Sequence, residues 1–189
     1  MANSARLKVT ILDVDPAPWR VIDVPLSMNL HGLHRTIQAA FLWYDAHLWE
    51  FQIGEKRYGP LWVNSGDEPI FNPDNKRLTF LTNKKVQEFL YLYDFGDGWE
   101  HHVEVLELLD APAGSRLPKF IEGEIARPPE DIGGPPGFEH FQAVMADENH
   151  PEHDDLLDWH GKPFDPTDIE REIIEIMMKR EAAMRPPMK

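Results

Sequence analysis

Cysteine is absent from this chain of 189 residues. That absence removes a disulfide framework, a thiolate nucleophile and any cysteine-built metal cage, so a metal site would have to use histidine and carboxylate. No run of about 18 apolar residues is present, and no membrane-spanning helix is expected. The opening Met-Ala-Asn-Ser-Ala-Arg lacks the apolar core of a secretory signal. A soluble cytoplasmic protein is the expectation. Positive charge is also scarce, with 19 Lys and Arg against 33 Asp and Glu and a formal net charge of −14. Binding to a phosphate backbone rests on Lys and Arg displacing counterions, so direct nucleic-acid binding is disfavoured. The shortage is greatest over residues 130–175, where fourteen Asp or Glu accompany only Lys162 and Arg171 as strong bases. Such a field suits a basic protein partner or a cation, and it also keeps a protein dissolved.

What is present is enough apolar sequence, 42%, for one sizeable core, so residues 1–189 are read as a single domain. Residues 1–110 are rich in strand patterns, 111–137 form a Pro/Gly-rich loop, and 138–185 form a helical annex. Alternation predicts a strand over 7–13, and a second β-rich run predicts one over 19–25, the two separated by Pro16 and Pro18. Leu30, Leu33, Ile37, Ala40 and Phe41 recur at helical spacing over 30–42, with Ser27 or Asn29 as the cap. A strand over 47–53 places His47, Trp49, Phe51 and Ile53 on one face, a short strand ends at Tyr58, and 59–76 reads as a surface loop. A short element at 78–81 precedes the central strands, and the sheet is expected to finish near residue 111. The prolines and glycines of 117–137 argue against a regular element there. Helices are expected over 138–146, 151–160 and 166–184. The last would be capped by Asp165 and carry Ile169, Ile173, Ile176, Met177 and Met184 on its apolar stripe. The fold class is therefore α+β: a mostly antiparallel sheet with an N-terminal β-β-α-β, β-grasp-like arrangement and the C-terminal helical annex.

The organising stretch is 89–105, two aromatic-rich strands meeting across Gly96-Asp97-Gly98. Phe89, Tyr91 and Tyr93 share a face before the turn, and Trp99, His101, Val103 and Val105 share one after it. His47, Asp94, Asp97 and His101, with His34 as a further candidate, could hold a divalent metal, because neutral imidazole and carboxylate suit zinc, iron or manganese when three or four converge. The structural alternative, and the preferred one, has Asp94 and Asp97 satisfying turn amides while His101 packs in the sheet. Glu130 and Asp131 beside Gly133-Gly134 are candidate catalytic carboxylates on a loop that allows close substrate approach. Trp49, Tyr93 and Trp99 are candidates for a ligand or partner surface, since Tyr and Trp join large contact area to a polar handle. The run from His150 to His160 sets His150 near Asp154 and Asp154 near Asp158 as a cation-attracting face, and helix-terminal electrostatics is the preferred explanation of it. Asp-Phe-Gly at 94–96 lacks the companion motifs of a kinase.

The strings PAPWRVIDVP, LHRTIQAAFLWYDAHLWEFQIG, YLYDFGDGWEHHVEV, PPEDIGGPPGFEHF and FDP, in that order, resemble the plasmid pRiA4b ORF-3-like family over most of the chain. The family has no assigned activity, and members are also labelled passenger proteins of insertion elements, sometimes with a resolvase-like name. The resemblance thus implies an association with plasmids or mobile elements. Members often carry cysteines at the positions of Arg127 and Ile132, and this chain has neither. Together these readings favour a non-enzymatic binding or accessory protein that engages a protein partner. The alternative is a metal-dependent, hydrolase-like enzyme using His47, Asp94, Asp97 and His101, with Glu130 or Asp131 as base.

Overall fold

Ser4–Ile11 (β1) and Trp19–Pro25 (β2) form an antiparallel pair in a computed structural model that describes residues 1–61, 69–83 and 86–188. Leu7, Val9 and Ile11 are fully buried on the face that alternation assigned to the core. The chain then enters Leu30–Phe41 (α1), where the Asn29 side chain, not Ser27, accepts the Gly32 N–H at 2.9 Å. Leu42 ends this helix in the left-handed conformation, with φ of 54°. Trp49–Ile53 (β3), Lys56–Tyr58 (β4) and Ile70–Phe71 (β5) follow. The loop expected over 59–76 holds β5 and a 3₁₀ turn at Pro73–Asn75, while its residues 62–68 lie outside the described residues. A second 3₁₀ turn, Leu78–Thr82, leads toward Glu88–Tyr93 (β6), Trp99–Leu109 (β7) and Lys119–Glu124 (β8).

Among the described residues these strands make one sheet in the order β5-β4-β3-β6-β7-β1-β2-β8, antiparallel except for the β4–β5 pair. The β-β-α-β order is present, and β6 and β7 lie between β3 and β1. β8 is a correction to the expectation of a loop over 117–137. Its residues pair antiparallel with β2, and the register slips beside Ile121, which absorbs the irregularity as a bulge. The buried Arg20 on β2 fixes its far end, donating from one guanidinium nitrogen to the carbonyls of Glu124 and Ile125 at 2.8 and 3.0 Å. Burial lowers this guanidinium to about 9, and the nearby charge of Arg127 adds to the effect. A residue in β2 thus holds a strand that local composition argued against.

Gly134–Met145 (α2), His153–His160 (α3) and Arg171–Ala183 (α4) complete the chain. Phe138 and Phe141 of α2 are fully buried and pack with Phe164, ring centroids 5.1 to 5.9 Å apart. Burial of each such ring contributes about 2 to 3 kcal/mol. α3 carries Asp154 and Asp155 in its first turn and His160 in its last, and Gly161 closes it at φ of 82°. α4 starts later than expected. Asp165 accepts from the Thr167 N–H at 2.8 Å and hydroxyl at 2.7 Å, so 165–170 is spent in side-chain-supported turns. The inward face of α4 is Ile174, Met178 and Ala182, packed toward α1 and β8, whereas Ile173, Ile176 and Met184 are exposed. The expected stripe is one position out of phase.

Candidate functional site

The turn between β6 and β7 builds one wall of the site. Asp94 takes a left-handed backbone, φ of 56°, and its Oδ1 accepts from the Gly96 N–H at 2.9 Å, which leaves Oδ2 facing outward. Its own N–H bonds the Leu48 carbonyl at 2.8 Å, seating the turn against the segment that carries His47. The loop before α2 docks on the same turn. Asp97 accepts from the Gly133 N–H at 3.1 Å, and Gly134 lies so close that a Cβ there would stand 2.4 Å from the Asp97 carbonyl oxygen. Only glycine fits that approach, at φ of 71°.

This docking brings Glu130 and Asp131 to His47. The imidazole Nδ1 is 3.6 Å from Asp94 Oδ2, while Nε2 is 3.2 Å from Asp131 Oδ1 and 3.6 Å from Glu130 Oε2. His47, Asp94 and Asp131 each offer an atom within 4.8 Å of the other two. Glu130 is pinned in a way the others are not: its Oε1 accepts from the Tyr44 N–H at 2.7 Å and from the Tyr93 hydroxyl at 3.1 Å. The Tyr93 oxygen in turn accepts from the Ala46 N–H at 3.2 Å. Burial, and then the charge of Glu130, hold the Tyr93 phenol well above its usual range, so it stays a neutral donor. Asp131, by contrast, has a side chain 73% exposed. The group therefore combines one fixed carboxylate, one turn carboxylate, one free carboxylate and one imidazole.

Two clefts are each lined by part of this group. One, of about 450 Å³, is lined by Glu130 and Asp131 together with Tyr44, Trp159, Lys162 and Phe164. The other, of about 500 Å³, is lined by His47 and Asp94 with Trp49, Pro60 and Phe95. Tyr44 and Trp159 are exposed, at 74% and 50%. Trp159 was not legible as a site residue, because it comes from a segment far along the chain that shares no spacing with His47, Asp94 or Glu130.

Not every predicted residue joins the group. His101 lies on the core face of β7, fully buried among Phe41, Trp43 and Tyr91, with its Nδ1 donating to the Trp99 and Tyr91 carbonyls at 3.0 and 3.2 Å. Burial lowers it from 6.5 to about 4, partly opposed by those two carbonyls, and its Nε2 has no hydrogen-bond partner among the described residues. Side-chain alternation turned it inward, away from the turn. Asp97 lies outside the group, with its carboxylate used on Gly133. His34 belongs to a separate buried chain, with Nε2 2.8 Å from Asp45 and Nδ1 2.7 Å from the Tyr91 hydroxyl, and its ring is stacked on Trp49. Burial lowers its pKa against the pull of Asp45, whose own pKa is lowered by the hydrogen bond from His34. Trp49, Tyr93 and Trp99 are buried packing residues; Trp49 still borders the second cleft and Tyr93 reaches the site through its hydroxyl, whereas Trp99 lines neither cleft, which corrects its candidacy for a ligand or partner surface.

An α+β sheet protein with a histidine-carboxylate group at the junction of a hairpin turn and a Pro/Gly loop is the class these features define. The model of the family described as plasmid pRiA4b ORF-3-like protein matches residues 3–173, and the chain belongs to that family. It is 38% identical over 164 residues to the uncharacterized protein y4hQ of Sinorhizobium fredii, covering 85% of this chain and 82% of that protein. The crystal structure of the protein of unknown function MM3350 from Methanosarcina mazei Go1 is similar at a TM-score of 0.79 and 32% identity, covering 89% of this chain and 96% of that one. A segment of 62 residues is 44% identical to part of a guanosine-5'-triphosphate,3'-diphosphate pyrophosphatase of Vibrio parahaemolyticus, spanning 33% of this chain and 12% of that protein. No helix among the described residues is long and apolar enough to cross a membrane.

Proposed function

We propose that the protein binds a divalent cation through His47, Asp94 and Asp131, with Glu130 beside them, and that its function is metal-assisted chemistry, hydrolysis foremost, on a polar ligand entering one of the two clefts. The observation that carries this reading is the placement of one imidazole between three carboxylates at 3.2 to 3.6 Å, with Glu130 and Asp131 lining one cleft and His47 and Asp94 the other. Three carboxylates against one imidazole leave negative charge in excess, which a divalent ion offsets. One nitrogen and several oxygens suit manganese, iron or zinc. Three protein ligands leave coordination positions for water and a ligand oxygen, the arrangement that metal-assisted hydrolysis requires. Glu130, held by Tyr44 and Tyr93, acts as the positioning carboxylate, and Asp131 is free to move with the ion.

A second reading is favoured by those same contacts of Glu130: His47 is a clamp that ties the hairpin turn to the 128–134 loop, and the protein is an accessory binding module of the mobile-element setting that the family's description suggests. Metal analysis separates the two. Untagged protein purified without chelator, and then titrated calorimetrically with Mn²⁺ and Zn²⁺, is expected to hold close to one ion per chain. His47→Ala and Asp94→Asn are each expected to weaken binding at least about tenfold. A wild type that is metal-free and gives no heat with either ion overturns the proposal and leaves the clamp, whose mark is a lowered melting temperature in His47→Ala.

A further inference from the structure

The basic side chains of this acidic protein are unevenly placed. A groove of about 560 Å³ between β8 and α4 is lined by Arg116, Lys119, Arg171 and Lys179 against one carboxylate, Glu175. Arg171 and Glu175 pair at 3.1 Å, and the Arg171 guanidinium also lies over the Phe120 ring and donates to the Ile121 carbonyl at 3.2 Å. Arg116, Lys119 and Lys179 make no hydrogen bond, ion pair or ring contact among the described residues, whereas Arg6, Arg35, Arg57 and Lys162 are each paired with an acid. In a chain of net charge −14, this groove sets four basic side chains against one acid, and three of the four have no acid partner among the described residues. Phe120, Met178 and Ala182 lie beneath the groove, nearly fully buried, with Arg171 over the Phe120 ring. Among the described residues β8 is also the last strand of the sheet, so its outer edge faces no other strand, and of its carbonyls that of Ile121 is taken by Arg171.

We propose that this groove binds an extended acidic segment of a partner protein. The carboxylates of the segment sit on Arg116, Lys119 and Lys179, and its backbone adds to the outer edge of β8. Each part answers a different feature: the basic rim gives charge complementarity to alternate side chains of an extended chain, and an edge strand supplies backbone donors and acceptors. Arg171 is already held by Glu175 and Ile121, so it shapes the groove and leaves the three free cations to meet the ligand. This inference is independent of the cation site.

The test uses a fluorescein-labelled peptide of alternating Glu and Val, about eight residues long so as to span the edge strand, and fluorescence anisotropy with the full chain. Saturable binding is expected, weakened at least about tenfold by Lys119→Glu with Lys179→Glu, and weakened by added salt. Both lysines are exposed, so circular dichroism should show the variant folded; Lys119→Gln with Lys179→Gln, a milder change, should give an intermediate loss. A peptide with N-methylated backbone amides should bind more weakly than the parent. Absence of binding, equal binding by the charge-reversed variant, or equal binding of a Lys/Val peptide overturns the proposal. So does full competition by inorganic phosphate, or equal capture by phosphatidylglycerol vesicles, because either would assign the groove to a simple anion or a lipid surface. Equal binding of the N-methylated peptide overturns the strand addition.

Discussion

Acidification places a proton on His101 only if the fold gives way around it. The ring is fully buried, burial lowers it from 6.5 to about 4, and the unfolded chain titrates near the ordinary 6.5. Between those values the unfolded chain takes up a proton that the folded chain refuses, so the stability associated with the neutral ring is fully present above about pH 6.5 and is lost as pH falls toward 4. From the two pKa values the loss is about 1.4 kcal/mol by pH 5.5, where ordinary carboxylates are still ionised, and on the order of 3 kcal/mol when complete. His34, also lowered by burial, acts in the same direction. The perturbation is His101→Phe, which keeps a ring among Phe41, Trp43 and Tyr91 and removes the titration. Urea unfolding at pH 7.5, 6.5 and 5.5 measures it. The variant should lose about 1 kcal/mol at pH 7.5, from the missing Nδ1 hydrogen bonds, and should then fall less steeply with acid, converging on wild type near pH 5.5. Parallel pH profiles for the two proteins would refute the burial argument.

Two further perturbations probe how the site is assembled. Gly134→Ala forces a Cβ to within 2.4 Å of the Asp97 carbonyl oxygen on a left-handed backbone, so the loop must leave the turn; a cost of about 2 kcal/mol and a drop of about 4 to 8 °C in Tm are expected, with weaker Mn²⁺ binding in the same titration. An unchanged Tm would show that the loop is not seated as described. Arg20→Met removes the donor to the Glu124 and Ile125 carbonyls, at about 2 to 3 kcal/mol, and hydrogen exchange should accelerate over 119–126 ahead of β1 and β7. Uniform exchange would argue that β8 does not depend on Arg20.

The sequence by itself determined the elements whose pattern is local. Alternation in β1 and β7, the β-rich run of β2 and the 3.6-residue stripe of α1 are each set by neighbours a few residues away, and all stand in the fold. Tertiary structure decided what depends on distant partners. β8 is a strand because β2 and Arg20 receive it, against its own composition. The phase of α4 follows what α1 and β8 present to it, so Ile174 and Met178 face inward where Ile173 and Ile176 were expected. The site shows the same division. His47, Asp94, Glu130 and Asp131 were all visible as chemical candidates, but their meeting depends on Gly133 and Gly134 docking against the 94–98 turn, a contact that no local spacing encodes. His101 shares their segment yet is turned away by the pleat of β7, and Trp49, Tyr93 and Trp99 went to the core because a sheet of this size needs their volume there. Local periodicity carries the strength of a residue's own preference; which face or loop it meets is fixed only when the chain closes on itself.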